Sequence, residues 1–299
     1  MPLSTKEKKY EPKPEWLKIR PPAGENYKRI KALLKDLNLN TVCEEAHCPN
    51  VHECWAGGTA TFMLMGDTCT RGCRFCAVKT GNPQGVLDEL EPIKISDSIK
   101  NLQLEYIVLT SVDRDDLPDG GSGHFAQTIL EIKKRDSKVI VEVLIPDFKG
   151  DTSALEKIIK AKPEVIAQNI ETVERLTLKV RDKRAGYKQT LDLLAKVKEI
   201  DNSILTKSSI MLGLGETEEE IFTTMKDLRK VDTDILTLGQ YLRPSKKHLP
   251  VIDYITPEKF LFYEEEGMKL GFKYIASGPL VRSSYKAGEY FVKNNILNR

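Results

Sequence analysis

The 299-residue chain has little of what marks several large classes of protein. It has no apolar run near the ~18 residues that a membrane-crossing helix needs, which excludes such a span. Net charge is only +2, so no global field draws the chain to nucleic acid or to an anionic membrane. With 19 glycines and 15 prolines it is neither collagen-like nor of low complexity. The segment Met1 to Lys9 is charged and lacks the apolar stretch of a secretory signal. Glu7, Glu11 and Glu15 break the acid-poor pattern of a transit peptide, so the expected address is the cytoplasm. No Ser-His-Asp arrangement can be argued, and no carboxylate pair stands out as a glycosidase would need.

Apolar residues at 40% and charged residues at 30% suffice for a real core and a soluble surface. Barrels of this length are routinely single domains. The charge is uneven: residues 1–40 carry +5 and the remainder −3. This basic arm reads either as a solvated surface or as a docking surface for an acidic partner.

The six cysteines are Cys43, Cys48, Cys54, Cys69, Cys73 and Cys76; the 223 residues that follow have none. An even count raises disulfides, but a chain this long does not need staples. In a reducing compartment, clustered thiols point to metal or cluster ligands instead. They form two trios, C-x4-C-x5-C and C-x3-C-x2-C. Structural zinc wants four closed ligands. His47 and His52 could complete one zinc site, but no histidine lies within the second trio. An iron–sulfur cube takes four thiolates, so three leave one iron open to a substrate or cofactor.

The second trio follows a strand-like Phe62-Met63-Leu64-Met65-Gly66, and Phe75 precedes its last cysteine. This arrangement resembles the signature of radical S-adenosylmethionine enzymes. The upstream trio in Asn40 to Asn50, with Glu53-Cys54-Trp55, resembles one family within them, the lipoyl synthases. So do Thr110-Ser111-Val112-Asp113-Arg114-Asp115-Asp116-Leu117-Pro118-Asp119-Gly120-Gly121 and Gly278-Pro279-Leu280-Val281-Arg282-Ser283-Ser284-Tyr285. The matches span residues 40 to 285.

The resemblance implies two [4Fe–4S] clusters and S-adenosylmethionine as cofactors. It implies that Cys69, Cys73 and Cys76 hold the cluster that makes the radical, and that Cys43, Cys48, Cys54 and Ser284 hold an auxiliary cluster that gives up sulfur. Ser283 is the second choice for the serine ligand. The implied reaction inserts sulfur at C6 and C8 of an octanoyl chain on a carrier lysine, with Ser284 counted among the catalytic residues. Implied partners are octanoylated lipoyl carrier domains (2-oxoacid dehydrogenase E2 subunits, glycine cleavage H protein), a donor such as ferredoxin or flavodoxin, and an iron–sulfur carrier. Neither nucleic acid nor membrane is an expected partner. Two rivals are a methylthiotransferase or biotin-synthase-like sulfur inserter, and a non-catalytic iron–sulfur electron carrier.

Residues 1–40 are Pro- and Lys-rich, with a helix-like stretch from Asn26 to Leu37, and residues 41–60 read as loop. From residue 61, apolar β-branched runs alternate with amphipathic helical patterns. Strands are predicted at Thr61–Met65, Tyr106–Val112, Val139–Ile145, Val165–Ile170, Thr206–Leu212, Ile235–Leu242 and Lys273–Ala276. That alternation predicts βαβ units and an α/β fold, a partial (βα)6 barrel of the TIM type. The expected division is an N-terminal extension (1–60) with the auxiliary-cluster cysteines, a radical barrel (61–272) and a C-terminal extension (273–299) with Arg282-Ser-Ser-Tyr285.

Barrel chemistry sits at the C-terminal ends of strands. Asn169 and Glu171, with Arg181 beyond them, are carried over as cofactor contacts; a structural ring of ion pairs is the other reading. Glu142 lies within a strand and needs a partner if it points inward. Gly213-Leu214-Gly215 is followed by acids and no lysine, so it is no phosphate loop. His124 and His248 are expected at the surface, and Met63 and Met65 in the strand core.

Overall fold

A computed structural model describes residues 13–18, 25–37, 39–45, 48, 50–56, 60–284 and 292. Its strands are β1 (Asn40–Thr41), β2 (Ala60–Leu64), β3 (Thr68–Cys69), β4 (Lys79–Thr80), β5 (Tyr106–Ser111), β6 (Ile140–Leu144), β7 (Val165–Ala167), β8 (Leu205–Leu212), β9 (Ile235–Gln240) and β10 (Tyr274–Gly278). One sheet runs β1-β2-β5-β6-β7-β8-β9-β10; β3 and β4 form a separate short ladder. From β2 to β10 every pairing in that sheet is parallel, and only β1 is antiparallel. Among the described residues β1 and β10 do not pair, so the barrel stays open.

All seven predicted strands are present. Parallel strands need crossovers, and helices such as Ser122–Arg135, Tyr187–Ile200 and Pro257–Lys269 supply them. Local chemistry sets their ends. Asp151 caps helix Thr152–Lys160 by accepting the Ser153 N–H, and Thr217 with Glu220 forms a complete capping box on helix Glu218–Lys230. The sheet continues to Gly278, past the boundary expected at residue 272.

Residues 41–60 are not the loop expected. Val42–Glu45 and Val51–Ala56 are short helices flanked by β1 and β2. Each is too short to show a periodicity against the glycines and proline around it. Trp55 is fully buried there and stacks on Tyr27, with ring centroids 5.1 Å apart.

Inside the barrel, Tyr106, Val108, Ile140, Val165, Leu205 and Ile235 pack with Val292 and close the N-terminal end. Glu142 does point inward. It accepts hydrogen bonds from Lys207 Nζ at 2.6 Å and from the Tyr106 hydroxyl. A cavity of about 500 Å³ opens at the other end, where β5 to β10 finish. Gly213 turns the chain beyond β8 at φ +101°, and a Cβ there would meet Gln240 Nε2 at 2.2 Å. Gly213-Leu214-Gly215 is therefore a tight turn packed on a side chain.

Candidate functional site

Cys69, Cys73 and Cys76 all line the cavity. Their loop leaves β2, and β3 pairs with β4 to hold its two ends together. Backbone N–H groups of Arg71 and Asp113 donate to Cys69 Sγ at 3.4 and 3.3 Å, and that of Asp182 donates to Cys73 Sγ at 3.2 Å. Burial pushes the Cys69 and Cys73 thiols up to about 12 and Cys76 to about 11. The thiols also raise one another, Cys73 acting on Cys69, Cys76 on Cys73 and Cys69 on Cys76. Such a ring of close thiols disfavours charge without metal, and bound iron would reverse that. Three soft donors lining one cavity suit an iron–sulfur cube with one free corner.

Arg71, inside the trio, fastens the loop to the barrel. Its guanidinium donates twice to Asp147, at 2.7 Å each, and twice to Asp115, at 2.9 and 3.0 Å. Burial opposes its charge, yet Asp147 and Asp115 hold it firmly protonated. Asp113 lies 3.3 Å from the same guanidinium and 3.7 Å from Cys69 Sγ. Burial, against the pull of Arg71, pushes the Asp113 carboxyl up to about 6.

The first trio reaches the same opening through Cys48. Cys43 and Cys54 are buried, while Cys48 lines the cavity with Arg282, Ser283 and Ser284. Cys48 donates its N–H to the Cys43 carbonyl at 3.1 Å. Asn50 Nδ2 donates to the Leu280 carbonyl at 2.6 Å, tying this segment to a loop 230 residues away. Burial raises the Cys43 thiol to about 11, helped by Cys48. Burial raises Cys48 too, and Arg282 pulls it back. His47, the side chain of His52 and Tyr285 lie outside the described residues.

Asn169, Glu171 and Arg181 all reach the cavity. Glu171 takes the left-handed region at φ +68°, which aims it inward, and accepts from Asn169 Nδ2 at 3.1 Å. Burial raises the Glu171 carboxyl and Arg181 lowers it. Arg181 Nη1 is engaged by Thr190 Oγ1 at 3.0 Å. Gln168 Oε1 and Asn169 Oδ1 are buried with no hydrogen-bond partner among the described residues. Orphaned acceptors on a cavity wall suit a ligand that donates hydrogen bonds, as an adenosine or an amino group does.

Residues 63–228 match the model of the radical SAM superfamily, and residues 2–48 match that of the N-terminal domain of lipoyl synthase. A mitochondrial lipoyl synthase of Drosophila pseudoobscura pseudoobscura is 60% identical over 96% of this chain and 78% of its own length. The chain belongs to the lipoyl synthase family.

Another mitochondrial lipoyl synthase, from Aedes aegypti, is 59% identical over 96% of this chain and 74% of its own. Among solved structures, the FeFe-hydrogenase maturase HydG of Carboxydothermus hydrogenoformans shares the fold. Its TM-score is 0.56 at 12% identity, over 90% of this chain and 70% of that one. As a lipoyl synthase family member, the chain is a radical SAM enzyme that inserts sulfur, with S-adenosylmethionine and [4Fe–4S] clusters as its cofactors.

The cytoplasmic expectation is overturned, because these relatives are named mitochondrial. Glu7, Glu11 and Glu15 lie inside the match to the lipoyl synthase N-terminal domain. Their acidity describes that domain and carries no information about address.

His124 is not a surface residue. It is buried, 2.6 Å from Glu91 Oε2, because its helix packs that face inward. His248 Nε2 lies 2.9 Å from the Cys76 carbonyl and so braces the loop of the second trio. Met63 lines the cavity, and Met65 sits beyond β2 at φ +67°. Arg71, Asp113, Asp147 and Arg282 carried no assigned role in the sequence. The first lies between two cysteines and the last beside the serines, a proximity that was a usable signal.

Proposed function

We propose that the chain installs sulfur at C6 and C8 of an octanoyl group held on the lysine of a lipoyl carrier domain. Cys69, Cys73 and Cys76 hold one [4Fe–4S] cluster, and Cys43, Cys48, Cys54 and Ser284 hold the other. When bound, S-adenosylmethionine and the clusters supply a hydrogen-abstracting radical and the sulfur, chemistry that side chains alone lack. An unactivated C–H bond has no acidity for a base to exploit.

The protein's part is orientation and exclusion. Arg71 fixes the loop of the second trio. Asn169 and Glu171 orient the cofactor through hydrogen bonds, with Arg181 behind them as a counter-charge. The barrel below the cavity is plugged by apolar side chains, so the radical meets little besides its target.

One observation carries this reading: all three thiols of the second trio, Cys48 of the first, and Ser283 and Ser284 border a single cavity. An acyl chain entering there lies between the two trios. The reductant is a ferredoxin or flavodoxin, an iron–sulfur carrier rebuilds the consumed cluster, and the site of action is the mitochondrion. Carriers are the E2 subunits of 2-oxoacid dehydrogenases and the glycine cleavage H protein.

The test is anaerobic turnover on an octanoylated carrier domain. Protein with about 8 iron atoms, two four-iron cubes, should split S-adenosylmethionine and give a lipoylated carrier. Cofactor cleavage with no sulfur on the carrier would defeat the assignment.

A further inference from the structure

The two trios differ in how the charged side chains beside them are paired. Beside Cys69, Asp113, Asp115 and Asp147 meet Arg71, and Asp115 also pairs with Arg184 at 3.1 Å and Lys149 at 3.8 Å. Asp147 and Asp115 each pair bidentately with Arg71, and Asp113 lies 3.3 Å from the same guanidinium. Glu171 and Arg181 share the same wall.

Arg282 lines the cavity together with Cys48. Its Nη1 donates to the Val281 carbonyl at 2.6 Å, a neutral acceptor in its own chain segment. No described carboxylate lies within ion-pair distance of it, and burial works against its charge while Cys48 works for it. The side chain is held in place rather than loose. Asn50 pins the Leu280 carbonyl, and the segment packs so closely on β9 that a Cβ on Gly239 would meet the Val281 carbonyl at 2.1 Å. An arginine without a carboxylate partner in a cavity wall is costly, and it is kept where an anion will face it.

We infer that Arg282 is a positioning residue of the sulfur-supplying site, a fixed cation that raises the reduction potential of the cluster on Cys43, Cys48 and Cys54. Nearby charge is one of the levers a protein has on such a potential. The direction suits the proposed chemistry, on which this inference rests. Joining a carbon radical to a sulfide makes one C–S bond and turns sulfide into a bound thiolate. That step would release one electron, which iron held by the trio would take up as Fe(III) going to Fe(II). A cation that favours the reduced cluster favours bond formation.

The experiment is redox titration of full-length protein that holds one cluster at a time. In a Cys69→Ala, Cys73→Ala, Cys76→Ala background, Arg282→Gln should keep its iron and shift the midpoint downward. Arg282→Lys, which keeps the charge, should stay near the parent. In a Cys43→Ala, Cys48→Ala, Cys54→Ala background, Arg282→Gln should leave the midpoint where it was. Iron held by the Lys variant but lost by the Gln variant also counts for the charge, since charge separates the two. An unchanged midpoint with iron retained overturns the inference. So does an equal shift in both backgrounds, or loss of iron from Gln and Lys variants alike. If the first background holds no cluster before Arg282 is touched, the ligand assignment itself has failed.

Discussion

Lys207 Nζ lies 2.6 Å from a Glu142 carboxylate oxygen, with both side chains 2% exposed inside the barrel. The Tyr106 hydroxyl donates to the other oxygen of that carboxylate. The pair lies between the apolar plug and the cavity, where removing one partner leaves a buried charge. Glu142→Gln should therefore cost about 3–5 kcal/mol in stability. Replacing both, as Glu142→Leu with Lys207→Met, should cost less than either single change. Chemical denaturation of the metal-free protein measures all three, and equal losses throughout would contradict the pairing.

Arg71 joins the second trio to the ends of two strands. Loss of such an outer contact typically costs roughly 10–100-fold in metal affinity. Arg71→Lys should weaken iron retention by the Cys69, Cys73 and Cys76 site on that scale, because an ammonium cannot serve two carboxylates bidentately. Iron chelation kinetics in protein lacking the first trio would show it. Retention equal to the parent would mean the loop holds its shape without the guanidinium.

Asp116 accepts two hydrogen bonds from Arg114, both at 2.8 Å. These bonds hold its carboxyl below its ordinary 3.8, at about 2. A depressed carboxyl stabilises the fold above pH 3.8, and that gain is lost as pH falls toward 2. Asp116→Asn should lower the melting temperature near neutral pH, and the gap to the parent should close between pH 4 and 2. A gap that stays constant across that window would remove the ion pair as its cause.

Ser283 and Ser284 both border the cavity, and they differ in the role proposed for them. Ser284→Ala should strip iron from the first trio while cleavage of S-adenosylmethionine continues. Ser283→Ala should leave both clusters in place. Iron counts with and without the second trio distinguish these outcomes, and full lipoylation by Ser284→Ala would exclude that serine as a ligand.

Most strand cores were legible because a strand buried on both faces has to be apolar at every position. Val139–Ile145 is such a run apart from Glu142, and β6 occupies Ile140–Leu144. A capping box such as that of Thr217 and Glu220 is a local signal, since it lies within four consecutive residues. The helices at Val42–Glu45 and Val51–Ala56 were not, since one or two turns show no period and depend on packing for stability. His124 was misread as exposed for a related reason. A lone histidine says nothing about which face of its helix meets Glu91.

The sequence by itself determined the chemistry: two cysteine trios, their spacings, and an alternating run of strands and helices to carry them. Those features are local, and covalent geometry over a few residues suffices to read them. Only the tertiary structure decided what meets what across the barrel mouth. The approach of Arg282 to Cys48, and of Asp147 to Arg71, depends on strand register and on the curvature of an open sheet. Those are set by the packing of the whole chain, so no short window of residues encodes them.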